Sequence, residues 1–155
     1  MKGNAKLIET LNEILTGELT AINQYFIHAK MMENWGYERL ASHTRDESID
    51  EMRHAERITD RILFLEGVPN FQRLSPIRVG ENVPEQFQVD VQLEYAAIKR
   101  LNDGIAVCVE VGDNTTRELL ENILISEEDH ADWLETQLGL VEALGAPTYL
   151  AQQLH

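Results

Sequence analysis

Two glutamate–histidine pairs at one spacing carry the chemistry of this sequence. Glu51 and His54 stand three residues apart in Ser48-Ile49-Asp50-Glu51-Met52-Arg53-His54, and Glu127 and His130 repeat the spacing in Ser126-Glu127-Glu128-Asp129-His130. A lone glutamate precedes each pair by 33 residues, Glu18 before Glu51 and Glu94 before Glu127. The whole set of three recurs at an offset of 76 residues. Side chains three apart on a helix share a face, so each Glu-x-x-His can grip one ion. One such pair is weak evidence, because most are surface ion pairs. Two pairs, each led by a glutamate at equal distance, form the ligand pattern of a two-metal carboxylate bundle.

Such a site needs helices to hold it. The periodicity predicts a first helix over about 6–33, with Leu7, Leu11, Ile14, Leu15, Ile22, Tyr25 and Ala29 on one stripe and Glu18 inside it. A second helix runs over about 38–66, with Glu47, Glu51 and His54 interrupting the stripe, and stops at Gly67-Val68-Pro69. The proline-bearing stretch that follows reads as a long connection across the domain. Asn82-Val83-Pro84-Glu85 opens a third helix, over about 83–111, in capping-box style. Thr115 and Glu118 suggest a second capping box for a fourth helix over about 115–144, and a short helix is expected over about 148–154. The prediction is an all-α, ferritin-like four-helix bundle: one domain over residues 1–155, with one long crossover and a short C-terminal helix.

All six repeated residues fall on apolar stripes, so all point inward. Uncompensated buried carboxylates cost on the order of several kcal/mol each, and four together would repel. Two divalent cations resolve the conflict, because four carboxylates and two neutral imidazoles balance them in charge. The mixed oxygen and nitrogen set suits iron or manganese and also accepts zinc or cobalt.

Composition narrows the function further. A formal charge of −14 speaks against a nucleic-acid groove and suits a protein that gathers cations. Hydrophobic content of 43% with only 9 Gly and 4 Pro fits ordinary globular folding. The single cysteine, Cys108, allows neither an internal disulfide nor a cysteine-built metal site within one chain. No signal peptide opens the sequence and no apolar run is long enough to span a membrane, so a cytoplasmic protein is expected.

Other residues have two readings each. Tyr25 lies two helical turns beyond Glu18 and is either a partner of a metal ligand or a core tyrosine; Trp133 shares that ambiguity. Asp46 and Asp50 form either an accessory cation site or a solvated acidic face. His28, His43 and His155 have no spaced partners and receive no role. Met52 points about 100° away from Glu51. With Leu19, Asn23, Phe26 and Ile49 it forms a second seam outside the core, which alone predicts a subunit interface.

The chain also resembles the bacterioferritins from end to end. Glu18-Leu19-Thr20-Ala21-Ile22-Asn23-Gln24-Tyr25-Phe26, Glu47-Ser48-Ile49-Asp50-Glu51-Met52, Ile62-Leu63-Phe64-Leu65-Glu66-Gly67 and Ser126-Glu127-Glu128-Asp129-His130 carry the likeness. The second Glu-x-x-His separates it from animal-type ferritins. The resemblance implies an iron-storing ferroxidase that oxidises Fe²⁺ with O₂ or H₂O₂ and deposits ferric mineral in an oligomeric shell. It places one iron at Glu18 and His54 and the other at Glu94 and His130, with Glu51 and Glu127 bridging this di-iron centre of two Fe per subunit. Met52 matches the ligand of a haem b shared by two subunits. Asp50 matches an inner-surface iron position, while Asp46 stands where some relatives have histidine. The assembly implied is a homo-oligomer of twenty-four subunits built from haem-bridged dimers, with a bacterioferritin-associated ferredoxin as electron donor for iron release. The competing readings are a di-iron peroxidase or oxygenase and a haem-linked electron-transfer bundle without mineral storage. A rubrerythrin-like peroxidase would ordinarily carry a cysteine-rich iron domain, which one cysteine cannot build.

Overall fold

A computed structural model describes residues 1–155. Four long helices, α1 (Ala5–Asn34), α2 (Glu38–Phe64), α3 (Val83–Val111) and α4 (Asn114–Leu144), are followed by a short α5 (Ala146–Ala151). The fold is an all-helical bundle with one crossover between α2 and α3. None of its helices is long and apolar enough to cross a membrane.

The helix ends follow from local chemistry. Asn4 caps α1, its Oδ1 accepting from the amides of Lys6 and Leu7, a cap worth about 1 kcal/mol. Asn82 caps α3 through the amide of Glu85, and its own Nδ2 donates to Glu85 Oε2. At α4 the expected Thr115–Glu118 box does not form. Asp113 is the cap instead, accepting from both the amide and the hydroxyl of Thr116. Arg61 also holds this carboxylate, at 3.1 Å, so the cap belongs to a three-residue cluster that no local pattern reveals. The stop of α2 also differs in detail. The left-handed residue is Glu66, at φ 62°, rather than Gly67. Its amide donates to Leu63 O and that of Gly67 to Ile62 O, the paired bonds of a Schellman ending. Gly67 is small for a different reason: a Cβ there would stand 2.7 Å from Ile8 Cγ2.

The core is divided along the bundle axis. One cluster gathers Leu7, Leu11, Leu15, Ile58, Ile62, Leu101, Cys108, Leu120 and Ile123. The other gathers Met32, Leu40, Val83, Phe87, Leu134 and Tyr149. Each fully buried side chain of this kind contributes about 1.5–3 kcal/mol. The six repeated glutamates and histidines lie on the helices between these two apolar blocks.

The crossover is held by a polar ladder on α1. Every fourth residue supplies one rung: Asn12 accepts from Asn70 N and donates to Val68 O, Thr16 accepts from Arg73 Nε, Thr20 from Ser75 N, Gln24 from Arg78 N, and His28 from Gly80 N. Four helical residues rise about 6 Å, and two or three extended residues cover a similar distance at about 3.3 Å each. The strap therefore runs parallel to α1 in matched steps. It delivers the start of α3 to the far end of α1, so that α3 descends antiparallel to α1 and brings Glu94 level with the centre.

Candidate metal centre

α1 contributes Glu18, α2 contributes Glu51 and His54, α3 contributes Glu94, and α4 contributes Glu127 and His130. All six are buried, from 0% exposed at Glu51 to 6% at His130. Helical periodicity turns all of them inward, and the antiparallel packing of α1 with α2 and of α3 with α4 sets them at one level. Two groups of four ligand atoms result. Glu18, Glu51, His54 and Glu127 form one; Glu51, Glu94, Glu127 and His130 form the other. Within each, the atoms lie within 4.8 Å of one another, and Glu51 and Glu127 belong to both.

The separations inside these groups suit metal ligation. His54 Nδ1 is 3.5 Å from Glu18 Oε2, 3.6 Å from Glu51 Oε1 and 3.3 Å from Glu127 Oε1. His130 Nδ1 is 3.3 Å from Glu51 Oε1, 3.5 Å from Glu94 Oε1 and 3.4 Å from Glu127 Oε1. Atoms each about 2.1 Å from one ion stand roughly 3.0–3.5 Å apart. Eight donor atoms of the centre are without hydrogen-bond partners: Glu18 Oε2, both oxygens of Glu51 and of Glu127, Glu94 Oε2, and Nδ1 of both His54 and His130. A buried polar atom left unpaired costs about 1–3 kcal/mol, so eight in one place are bonding capacity that a bound cation would use. Cations with open coordination fit the donor set.

The buried groups of the centre share their charge unevenly. Burial and the neighbouring Glu18 and Glu127 push the Glu51 carboxyl well above its ordinary range, and burial with Glu127 does the same to Glu94. Burial also works against a charged Glu127, but contacts from His54 and Glu51 outweigh it and hold that carboxyl at about 2. Burial likewise disfavours the imidazoliums, yet Glu127 and Glu18 raise His54 to about 9, and Glu47 with Glu94 raises His130 to about 11. A cation held by these groups would displace their protons.

Tyr25 is fully packed and donates its hydroxyl to Glu94 Oε1, on the neighbouring helix rather than on Glu18. The accessory cluster differs from the Asp46–Asp50 pair expected from the sequence. Asp46 is exposed. Glu47 joins Asp50 instead, with His130 Nε2 2.5 Å from Glu47 Oε2 and 3.4 Å from Asp50 Oδ2. Glu47 in turn lies 2.9 Å from His43, whose ring stacks on Trp133 at 3.7 Å. Carboxylates behind a ligating histidine orient the ring and set its tautomer. Glu47 was visible as a carboxylate in the α2 stripe; the His43–Trp133 stack has no sequence signal.

Met52 faces away from the centre and is 55% exposed. It borders a shallow hollow with Leu19, Ile22, Ala55 and Phe71, and Phe26 is exposed on α1 nearby in sequence.

Comparison with known proteins gives a consistent result. The ferritin-like domain family matches residues 8–144. A bacterioferritin of Mycobacterium tuberculosis is 55% identical over 152 residues, covering 98% of this chain and 96% of the relative. One from Streptomyces coelicolor is 55% identical over 151 residues, covering 97% and 90%. One from Brucella melitensis is 44% identical over 149 residues, covering 96% and 92%.

Proposed function

Because the chain belongs to the bacterioferritins, within the ferritin-like family, we propose that it stores and detoxifies iron by oxidising Fe²⁺ at the buried glutamate–histidine centre. The observation that carries this reading is the set of unpaired ligand atoms, arranged as two groups that share Glu51 and Glu127.

Fe²⁺ is the substrate. Glu18 and His54 hold one ion, Glu94 and His130 the other, and Glu51 and Glu127 lie between them. Two Fe²⁺ supply two electrons, the number that takes H₂O₂ to water or O₂ to H₂O₂. The shared glutamates compensate the added charge as Fe²⁺ becomes Fe³⁺, and Glu47 keeps His130 turned so that Nδ1 faces the ion. Tyr25, hydrogen-bonded to Glu94, fixes that carboxylate. Asp50, beside His130, stands on a route between the centre and the mineral.

The 155 residues act as one ferritin-like unit that assembles with its copies into a shell of twenty-four. Met52 and its apolar surroundings fit the flat face of a haem b held between two copies, with one thioether from each. The haem would supply an electron path, with a bacterioferritin-associated ferredoxin as donor for iron release. The location proposed is the cytoplasm.

The test is anaerobic Fe²⁺ loading followed by O₂ or H₂O₂. The wild type should oxidise a first pair of ions rapidly, and Glu18→Ala and His130→Ala should each be slower by about a hundredfold, the scale of about 2.7 kcal/mol of lost stabilisation. Equal rates in all three would refute the ferroxidase. For the haem, Met52→Leu should abolish the bis-thioether absorption spectrum, and an unchanged spectrum removes Met52 as ligand.

A further inference from the structure

The chain has 13 Lys and Arg against 27 Asp and Glu, so a carboxylate is within reach of many of its cations. Lys6, Lys30, Arg53, Arg61, Lys99 and Arg117 each pair with one. Arg78 of the crossover and Arg100 of α3 enter none of these pairs, yet they share one hollow. It lies between α1, α3 and the crossover, has a volume of about 270 Å³, and is lined also by Thr20, Gln24, Ser75 and Gln92. No Asp or Glu lines it.

The hollow is built rather than incidental. Its α1 wall is two rungs of the crossover ladder: Thr20 accepts from Ser75 N and Gln24 from Arg78 N, at 2.9 and 3.1 Å. The backbone of Arg78 is thereby anchored beside the opening. The carboxylate beneath the wall, Asp90, is engaged by Gln24 Nε2 and His28. On the other side Gly17 leaves room for Arg100: a Cβ at that position would stand 2.2 Å from Arg100 Nη2. The guanidinium thus lies against α1 in the space a side chain would take. Two guanidiniums outside any ion pair, beside a serine and a glutamine in a hollow lined by no carboxylate, match a tetrahedral oxyanion, which arginine forks bind through paired charge-assisted bonds.

We propose that this hollow is an oxyanion site that takes phosphate, free or as the phosphate group of a nucleotide, between Arg78 and Arg100. It is separate from the metal centre, which lies on the inward face of the same helices.

Equilibrium dialysis of inorganic phosphate against the iron-free protein at low chloride tests it, since ferric ions bind phosphate themselves. Saturable binding of one phosphate per chain is expected. Arg78→Gln and Arg100→Gln should each weaken it about tenfold, the loss of one charge-assisted contact of roughly 1.4 kcal/mol, while Arg57→Gln should leave it unchanged. Gly17→Ala should weaken binding by displacing Arg100 while the melting temperature holds or rises, because alanine favours the helix; this separates binding from folding. A parallel titration with ATP distinguishes the sources: tighter binding with the same arginine dependence assigns the site to a nucleotide phosphate, weaker binding to the free ion. Absence of saturable binding, as when a neighbouring copy's carboxylate fills the hollow, overturns the proposal. So does binding that survives both arginine substitutions.

Discussion

Two buried polar clusters sit in this bundle, each pairing carboxylate with histidine, and they are opposites. Around His28, Asp90 and Gln24 the bonding is complete. His28 Nδ1 meets Asp90 at 2.9 Å, its Nε2 accepts from Gly80 N, and Gln24 uses its oxygen for Arg78 N and its nitrogen for Asp90. Around Glu18, Glu51, His54, Glu94, Glu127 and His130, eight ligand atoms have no partner. Burial therefore does not mark the functional site, and neither does a histidine beside a carboxylate. The mark is unspent bonding capacity. A satisfied cluster stabilises the fold; an unsatisfied one is stabilised by what it binds.

The contrast can be broken by exchanging the roles of the two clusters. The largest effect expected is on chemistry. His54→Ala should slow Fe²⁺ oxidation by about a hundredfold, whereas Asp90→Asn, if it folds, should leave the rate within about twofold; stopped-flow absorbance of both variants checks this. Stability should respond the other way. Asp90→Ala strands His28 and Gln24, and urea denaturation of the metal-free protein should show a loss of about 3 kcal/mol. Glu94→Gln replaces a buried carboxyl whose Oε2 has no partner and should leave the metal-free protein unchanged or more stable by about 1 kcal/mol. A loss as large as that for Asp90→Ala would erase the distinction.

Smaller pH effects sharpen it. In the metal-free protein His54 and His130 are raised to about 9 and about 11. A folded-state pKa above the unfolded value of about 6.5 gives stability that is full below that value. It is lost as pH rises through about 9 and then about 11. Melting temperatures of the metal-free protein should fall over this window, and less steeply in His54→Ala and His130→Ala. Metal ions act in the opposite sense. They replace the protons on His54, His130, Glu51 and Glu94, so affinity rises with pH, and Zn²⁺ addition to weakly buffered protein should release at least about two protons per chain. No proton release would contradict the protonation assigned to these four groups.

Much of this was legible in the sequence because it repeats. Glu18, Glu51 and His54 recur as Glu94, Glu127 and His130, and a repeat needs only spacing to be seen. Glu47 escaped assignment because its counterpart at the same offset is Ile123, a core residue. The four long helices were readable from their stripes, but two boundaries were decided by contacts from afar. Asp113 caps α4 while held by Arg61, and Gly67 is small because Ile8 packs against it. The crossover ladder shows only half of itself. Asn12, Thr16, Thr20, Gln24 and His28 form a polar row at four-residue steps, but most of their partners are backbone groups, which carry no sequence signature. The phosphate hollow is invisible for the same reason: Gly17, Arg78 and Arg100 are joined only by the fold.

If the unpaired cluster is one centre for two ions with shared glutamates, it takes up cations in pairs. Anaerobic Co²⁺ titration followed by visible absorption tests it most directly, because cobalt reports its ligands and suits the same donors. Two tight equivalents per chain are predicted for the wild type, one for Glu18→Ala, and weakened binding at both sites for Glu127→Ala. A single equivalent in the wild type, or a Glu127→Ala variant that loses one site and keeps the other intact, would contradict it.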